Sequence, residues 1–182
     1  LLNNAGLHAP ALLLSSFFGS TVTGWFALAE RVLNAPISLV SKAIQQVYFG
    51  DASERIRERP GDMLDLYDEV SWKLFVLGVL PAAVSFFWGP DLFGFVFGAD
   101  WRVAGEYVRI LSPMLLARFV ASPLSQTLNI LERQGTMFIW EALRLALIVA
   151  AFVGGGLLGW TDTQTMMAFS GAASISYVGM YL

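Results

Sequence analysis

The stretch from Gly24 to Gly50 is long and mostly apolar, and its few polar residues fall on one side. At about 100° per residue, these positions lie within about 80° of arc on a helix. They are Arg31, Asn34, Ser38, Lys42 and Gln45. Isolated charge at membrane depth costs about 2.5–3.5 kcal/mol per residue on insertion scales. The stripe therefore predicts a bilayer-crossing helix beside a wet pathway for something anionic or polyhydroxylated.

The composition is typical of a membrane protein. Hydrophobic residues make up 56% of the 182 residues and charged residues only 14%, whereas a soluble domain has about 25% charged residues. Too few charges are present to cover a water-facing surface. The net charge of −3 argues against a nucleic-acid partner. We predict an all-α fold, a polytopic bundle of transmembrane helices.

The apolar segments predict about six spanning helices. They cover residues 3–20, 24–49, 71–89, 104–131, 137–160 and 163–182. Gly19 to Gly24 should form a short turn between the first two. Gly89-Pro90 should end the third segment and leave residues 91–101 as a loop.

Cations concentrate in the connection after the second segment, where Arg55, Arg57 and Arg59 occur. Cytoplasmic loops of membrane proteins carry an excess of Lys and Arg, so we expect residues 50–70 to lie in the cytoplasm. Apolar residues then recur at spacings of three and four from Met63 to Leu74. This repeat predicts an amphipathic helix that leads into the third segment.

The fourth segment repeats the pattern of the second. Its polar face carries Arg118, Ser122, Ser125 and Asn129. Asn129 follows Arg118 by eleven residues, the same offset as from Arg31 to Lys42, which places each pair about 16 Å apart along its helix. Two interpretations remain open. The stripes line a cavity that binds substrate, or they join helices through hydrogen bonds.

Two local features predict contacts between or along helices. Glu141 and Arg144 are three residues apart, the spacing of an ion pair on one helix face. The run from Gly154 to Gly156 follows a membrane segment rather than a strand. It therefore favours close helix packing over a phosphate-binding loop.

Motifs for catalysis and metal binding are lacking in the sequence. No cysteine is present and His8 is the single histidine, so disulfides and thiolate metal sites are excluded. No nucleotide-binding Gly-x-x-x-x-Gly-Lys loop occurs. We expect a protein that is not an enzyme and that holds no cofactor and no metal.

Both ends of the sequence look like cuts in a longer chain. It starts at Leu1 without Met, and it stops at Leu182 inside an uncharged run that begins after Asp162. We expect residues 1–182 to be a fragment of a larger protein.

Several segments carry a family resemblance. Residues 24–36 read Gly-Trp-Phe-Ala-Leu-Ala-Glu-Arg-Val-Leu-Asn-Ala-Pro. Residues 43–49, 52–54, 89–92 and 97–101 carry further segments of the same family pattern. Together they resemble bacterial polysaccharide flippases. These are the O-antigen and exopolysaccharide translocases of the multidrug/oligosaccharidyl-lipid/polysaccharide exporter superfamily. Phe26 stands where the family often has tyrosine, so the ring is kept and the hydroxyl is lost.

The resemblance implies two six-helix halves, of which residues 1–182 match the C-terminal half and lack the N-terminal one. It implies translocation of undecaprenyl-diphosphate-linked oligosaccharide across the inner membrane. The implied partners are that lipid-linked oligosaccharide, membrane lipids, the missing N-terminal half, a polysaccharide polymerase and a chain-length regulator.

Two other functions stay open. A drug or cation antiporter of the same architecture would favour acidic cavity residues, whereas the stripes here are basic. The other open function is that of a non-transporting membrane protein of polysaccharide assembly, such as a glycan polymerase.

Overall fold

The structure is a computed structural model, and it describes residues 2–58, 61, 63–125, 127 and 134–181. These residues form five α-helices and a short 3-10 turn at Ala99–Trp101, with no strand among them. The helices are α1 (Leu2–Glu58), α2 (Met63–Phe97), α3 (Arg102–Leu124), α4 (Gln134–Leu157) and α5 (Asp162–Tyr181). The prediction of an all-α fold is confirmed.

Gly19 divides α1 into two helical segments, residues 2–18 and 20–58. Its φ of 83° and ψ of 178° lie outside helical geometry, in a region that glycine adopts at little cost. The turn predicted from Gly19 to Gly24 is thus reduced to one residue. At the other end, α1 continues to Glu58, so charged residues that were predicted in a loop lie on a helix.

Gly89-Pro90 does not end the third segment, and that prediction was wrong. Helix α2 runs from Met63 through Pro81 and Pro90 to Phe97. Gly89 and Pro90 are buried against α3, where a Cβ on Gly105 would lie only 2.6 Å from the Gly89 carbonyl oxygen. The helix thus continues through Pro90, which lacks a backbone N–H, at the point where it packs most closely on α3. The chain leaves the helical path at Gly98, which has a φ of 101°.

Helix α3 lies at the centre of the bundle and packs against α1, α2 and α5, while α4 packs against α1 and α5. The core between α1, α4 and α5 contains three phenylalanine rings. The centroid of Phe169 lies 6.3 Å from that of Phe26 and 5.2 Å from that of Phe152. These buried rings fix α1 and α4 on either side of α5.

The glycine run in α4 makes the predicted close contacts at two of its three positions. A Cβ on Gly155 would collide with Thr165 of α5, and a Cβ on Gly156 would collide with Phe17 of α1. Gly154 has nothing within 4 Å of its Cβ position. The run therefore brings two neighbouring helices close to α4.

Within the described residues, three helices are long and apolar enough to cross a membrane. They contain Ala9–Arg55, Met63–Phe97 and Gly135–Leu157. These helices support the membrane character that the composition predicts. The count of six spans and the orientation stay predictions.

We expect Gly105→Ala to destabilise the bundle, because the added methyl must push α2 away from α3. Overpacking of this kind costs about 1–3 kcal/mol. Gly154→Ala is the matched control, since it adds the same methyl to a helix in open space and should be neutral or slightly stabilising. Thermal unfolding of the purified protein in detergent measures both. Equal midpoints for Gly105→Ala and the unmodified protein would rule out a tight crossing at this point.

Candidate functional site

The two polar stripes meet along the interface between α1 and α3. The Nη1 atom of Arg118 donates a hydrogen bond to Asn34 Oδ1 at 3.2 Å. The Nε2 atom of Gln45 lies 3.2 Å from the Ser122 carbonyl oxygen and 3.1 Å from Ser122 Oγ. The structure therefore brings together four of the nine predicted site residues in two pairs.

A third polar contact continues the same interface. The Tyr48 hydroxyl lies 2.6 Å from Thr127 Oγ1, and Tyr48 is buried. Neither residue was predicted as a site residue. Tyr48 follows Gln45 by three residues, so the helical spacing of the α1 stripe could have found it.

The order of these contacts shows the relative direction of the two helices. Along α1 the contacts follow the order Asn34, Gln45 and Tyr48. Their partners follow the order Arg118, Ser122 and Thr127, so residue numbers increase together on both sides of the interface. The second part of α1 and the α3 region consequently run in the same direction. Such parallel neighbours require an intervening segment that returns the chain, and α2 is that segment.

Arg31, Ser38 and Lys42 are exposed and take no part in the α1–α3 contacts. The reason is their order around the helix. At about 100° per residue, Asn34 and Gln45 occupy one edge of the stripe and these three residues the other. We call Arg31, Ser38 and Lys42 the open edge. Within the part of the chain that the structure describes, neither cation of the open edge forms a salt bridge.

Two serines of the predicted site bond to the backbone of their own helices. Ser38 Oγ donates to the Ala35 carbonyl at 3.0 Å, and Ser125 Oγ donates to the Ser122 carbonyl at 2.8 Å. Asn129 lies outside the described residues. Of the eight predicted positions that the structure describes, four lie in the α1–α3 interface, three lie on the open edge and Ser125 bonds to nearby backbone, so they do not line one surface.

A buried charged cluster lies on α4 beside α5. Glu141 and Arg144 form the predicted ion pair, and their side chains are only 15% and 10% exposed. Arg144 Nη1 also donates to the Tyr177 hydroxyl at 3.0 Å, and its guanidinium carbon lies 5.3 Å from the centroid of the Tyr177 ring. The sequence did not indicate Tyr177, because this contact joins residues on different helices.

The α1–α3 interface and this α4–α5 cluster meet at a small internal cavity. Arg118, Arg144, Glu30 and Tyr177 all line it, and its volume is about 20 Å³. A cavity needs about 10–15 Å³ to hold a water molecule. The space is thus large enough for one water among charged groups of both signs.

Comparisons with protein-family models, with curated proteins and with solved structures found no match to this chain. The kind of protein that this chain is must therefore be judged from its own sequence and structure. Its features are an all-helical fold, three helices apolar enough to cross a membrane and charged side chains inside the bundle. They define a helical membrane protein.

Arg144→Ala should destabilise the protein strongly, because it leaves the Glu141 carboxylate buried without its cation. Removing one partner of a buried pair costs about 3–5 kcal/mol. Arg57→Ala is the control, since the Arg57–Glu58 pair is 76% and 53% exposed and exposed pairs contribute little. Thermal unfolding in detergent compares the two. A similar small effect for both variants would mean that the buried pair contributes no more than a surface one.

Proposed function

We propose that this chain is the C-terminal six-helix half of a transporter. The transporter moves undecaprenyl-diphosphate-linked oligosaccharide across the inner membrane for O-antigen or exopolysaccharide synthesis. The observation that carries the proposal is the open edge of α1. Arg31, Ser38 and Lys42 are exposed on a helix that is apolar enough to cross a membrane. Cations in that position need a wet or anionic environment.

The chemistry of the open edge suits a diphosphate followed by a glycan. Arg31 and Lys42 are separated by eleven residues, about 16 Å along the helix. Both can donate charge-assisted hydrogen bonds to phosphate oxygens, and Ser38 between them can bond to a sugar hydroxyl. A drug or cation antiporter would favour acidic residues on this edge, so the basic edge argues against that function.

Helix lengths and directions support a six-span arrangement. With α1 counted as two segments, the described residues hold six α-helical segments. Helices α3 and α5 have 23 and 20 residues. Since each residue adds about 1.5 Å, both are long enough to cross the hydrocarbon core, which is about 30 Å thick. The parallel course of α1 and α3 fits spans two and four of an alternating topology.

The mechanism that we propose is alternating access. The N-terminal half would rock against this half and expose the open edge to one face of the membrane and then to the other. The contacts of Arg118 with Asn34 and of Gln45 with Ser122 hold α1 on α3 during this motion. The lipid tail stays in the bilayer while the head group crosses. The further partners proposed from the family resemblance are a polysaccharide polymerase and a chain-length regulator.

A non-transporting membrane protein of polysaccharide assembly is the second candidate. It is favoured by the same α1–α3 contacts, because hydrogen bonds between polar side chains also join membrane helices without any transport role. The two candidates differ in what they require of the open edge. Only the transporter needs its cations.

In the full-length protein, the Arg31→Ala, Lys42→Ala double variant should strongly reduce surface polysaccharide at an unchanged protein level. Each lost charge-assisted hydrogen bond removes about 1.5–3 kcal/mol, and every 1.4 kcal/mol is about a tenfold change in affinity. Complementation of a flippase-deficient strain measures the export. Arg31→Lys should retain part of the activity if charge dominates over the planar fork.

The matched control is the Arg57→Ala, Lys73→Ala double variant, which also loses two cations. Both of these side chains are exposed and paired with neighbouring glutamates, so export should stay normal. Normal export by a well-expressed Arg31→Ala, Lys42→Ala variant would favour the non-transporting candidate.

A further inference from the structure

A surface groove lies along α3 between α2 and α5. Its volume is about 770 Å³. The lining residues are charged or polar towards one end of the helices and mostly apolar beyond it, where Ser170 and Ser174 also occur. The polar part consists of Glu106, Arg109 and Thr163, and the apolar part includes Ile110, Pro113, Met167 and Ile175.

The charged part of the groove lies at the end of the bundle where aromatic residues cluster. Glu106 and Arg109 are in the first turns of α3, and Thr163 is at the start of α5. The guanidinium carbon of Arg109 lies 5.5 Å from the centroid of the Phe86 ring, and Phe86, Phe87 and Trp88 form a chain of ring contacts. Aromatic residues in such positions are typical of the headgroup level of a bilayer.

The groove as a whole is about as long as one leaflet is deep. Along α5 the lining extends from Thr163 to Ile175, which is about 18 Å of helix. Half of the hydrocarbon core measures about 15 Å. The middle of the groove adjoins a larger apolar cavity of about 840 Å³ that shares Pro113 and Ser174 with it.

Near Pro113 the backbone carbonyl groups that border the groove have hydrogen-bond donors. Pro113 cannot donate to the Arg109 carbonyl, and Ser112 Oγ donates to that carbonyl at 2.8 Å. Ser170 Oγ of α5 donates to the Ile110 carbonyl at 2.7 Å. The groove floor is therefore apolar in effect even where Pro113 removes a backbone donor from the helix.

The two charges at the mouth are only loosely paired with each other. Arg109 Nη1 lies 3.9 Å from Glu106 Oε2, and the side chains are 48% and 50% exposed. One cation and one anion side by side complement a headgroup that carries both charges. We propose that the groove binds a phospholipid with a phosphoethanolamine headgroup, independently of the transported substrate.

In this site the lipid phosphate accepts hydrogen bonds from Arg109, and the primary ammonium donates to Glu106. The acyl chains follow Ile110, Pro113 and Met167 between α2 and α5. A phosphocholine headgroup has no N–H to donate to Glu106. A phosphoglycerol headgroup brings no cation for it. The pair thus selects phosphoethanolamine over both.

The test measures lipid retention by the purified full-length protein in detergent. Dioleoyl phosphoethanolamine, phosphocholine and phosphoglycerol are added separately at equal concentration, and native mass spectrometry counts the bound lipid. We expect phosphoethanolamine to be retained several-fold better than the other two and to raise the unfolding temperature most. Equal retention of all three lipids would overturn the proposal.

Three variants separate the headgroup from the chain. Arg109→Gln should lower retention of all three lipids, and Glu106→Gln should abolish the preference for phosphoethanolamine over phosphoglycerol. Met167→Trp keeps both charges but fills the apolar part, so it should also lower retention. Each variant must unfold at the unmodified temperature when no lipid is added, which separates loss of binding from loss of fold.

The Asp91→Asn, Arg102→Gln double variant is the matched control. That pair, with Arg102 Nη2 at 2.6 Å from Asp91 Oδ1, is similarly exposed and joins α2 to α3 outside the groove. Its lipid preference should be unchanged.

An unchanged preference in the Glu106→Gln, Arg109→Gln double variant would contradict the proposal. So would a protein that retains no lipid and pairs with a second copy through this groove.

Discussion

Charged side chains on apolar helices need partners, and this requirement organises the middle of the bundle. Arg118 bonds to Asn34, and Arg144 bonds to Glu141 and Tyr177. These contacts join α3 to α1 and α4 to α5. Because a guanidinium inside a membrane bundle is costly without acceptors, the helices that supply the acceptors cannot move away from it cheaply. The positions of α1, α3, α4 and α5 thus depend on two arginines.

The central helix α3 serves two different surfaces. On one side its polar residues bond to α1 and leave the cations of the open edge outside. On the other side Pro113 lies inside the helix without a backbone N–H, and Ser112 and Ser170 donate to the carbonyls of Arg109 and Ile110. Polar side chains are used for internal bonding on both sides, so the exposed cations Arg31 and Lys42 stand out as groups without such a structural use in the described bundle.

Periodic and local features were predictable from the sequence. The helices themselves, the Glu141–Arg144 pair and the close contacts of Gly155 and Gly156 follow from spacing along one helix. The continuation of α2 through Gly89-Pro90 did not, because local preference predicts a break there, whereas these residues are buried against α3. Tyr48 with Thr127 and Arg144 with Tyr177 were not predicted as pairs, since they join positions far apart in sequence. The stripe positions were found, but their division into two edges depends on where α3 lies.

The break at Gly19 also has a consequence for how this chain enters a bilayer. Without it, α1 would be one helix of 57 residues, about 85 Å long and far longer than any membrane is thick. A Cβ at this position would meet nothing within 4 Å, so neighbouring atoms do not exclude a side chain. Only the backbone dihedral angles restrict this position to glycine, because a φ of 83° costs other residues about 1–3 kcal/mol. One glycine therefore breaks what would otherwise be a single straight rod of 57 residues.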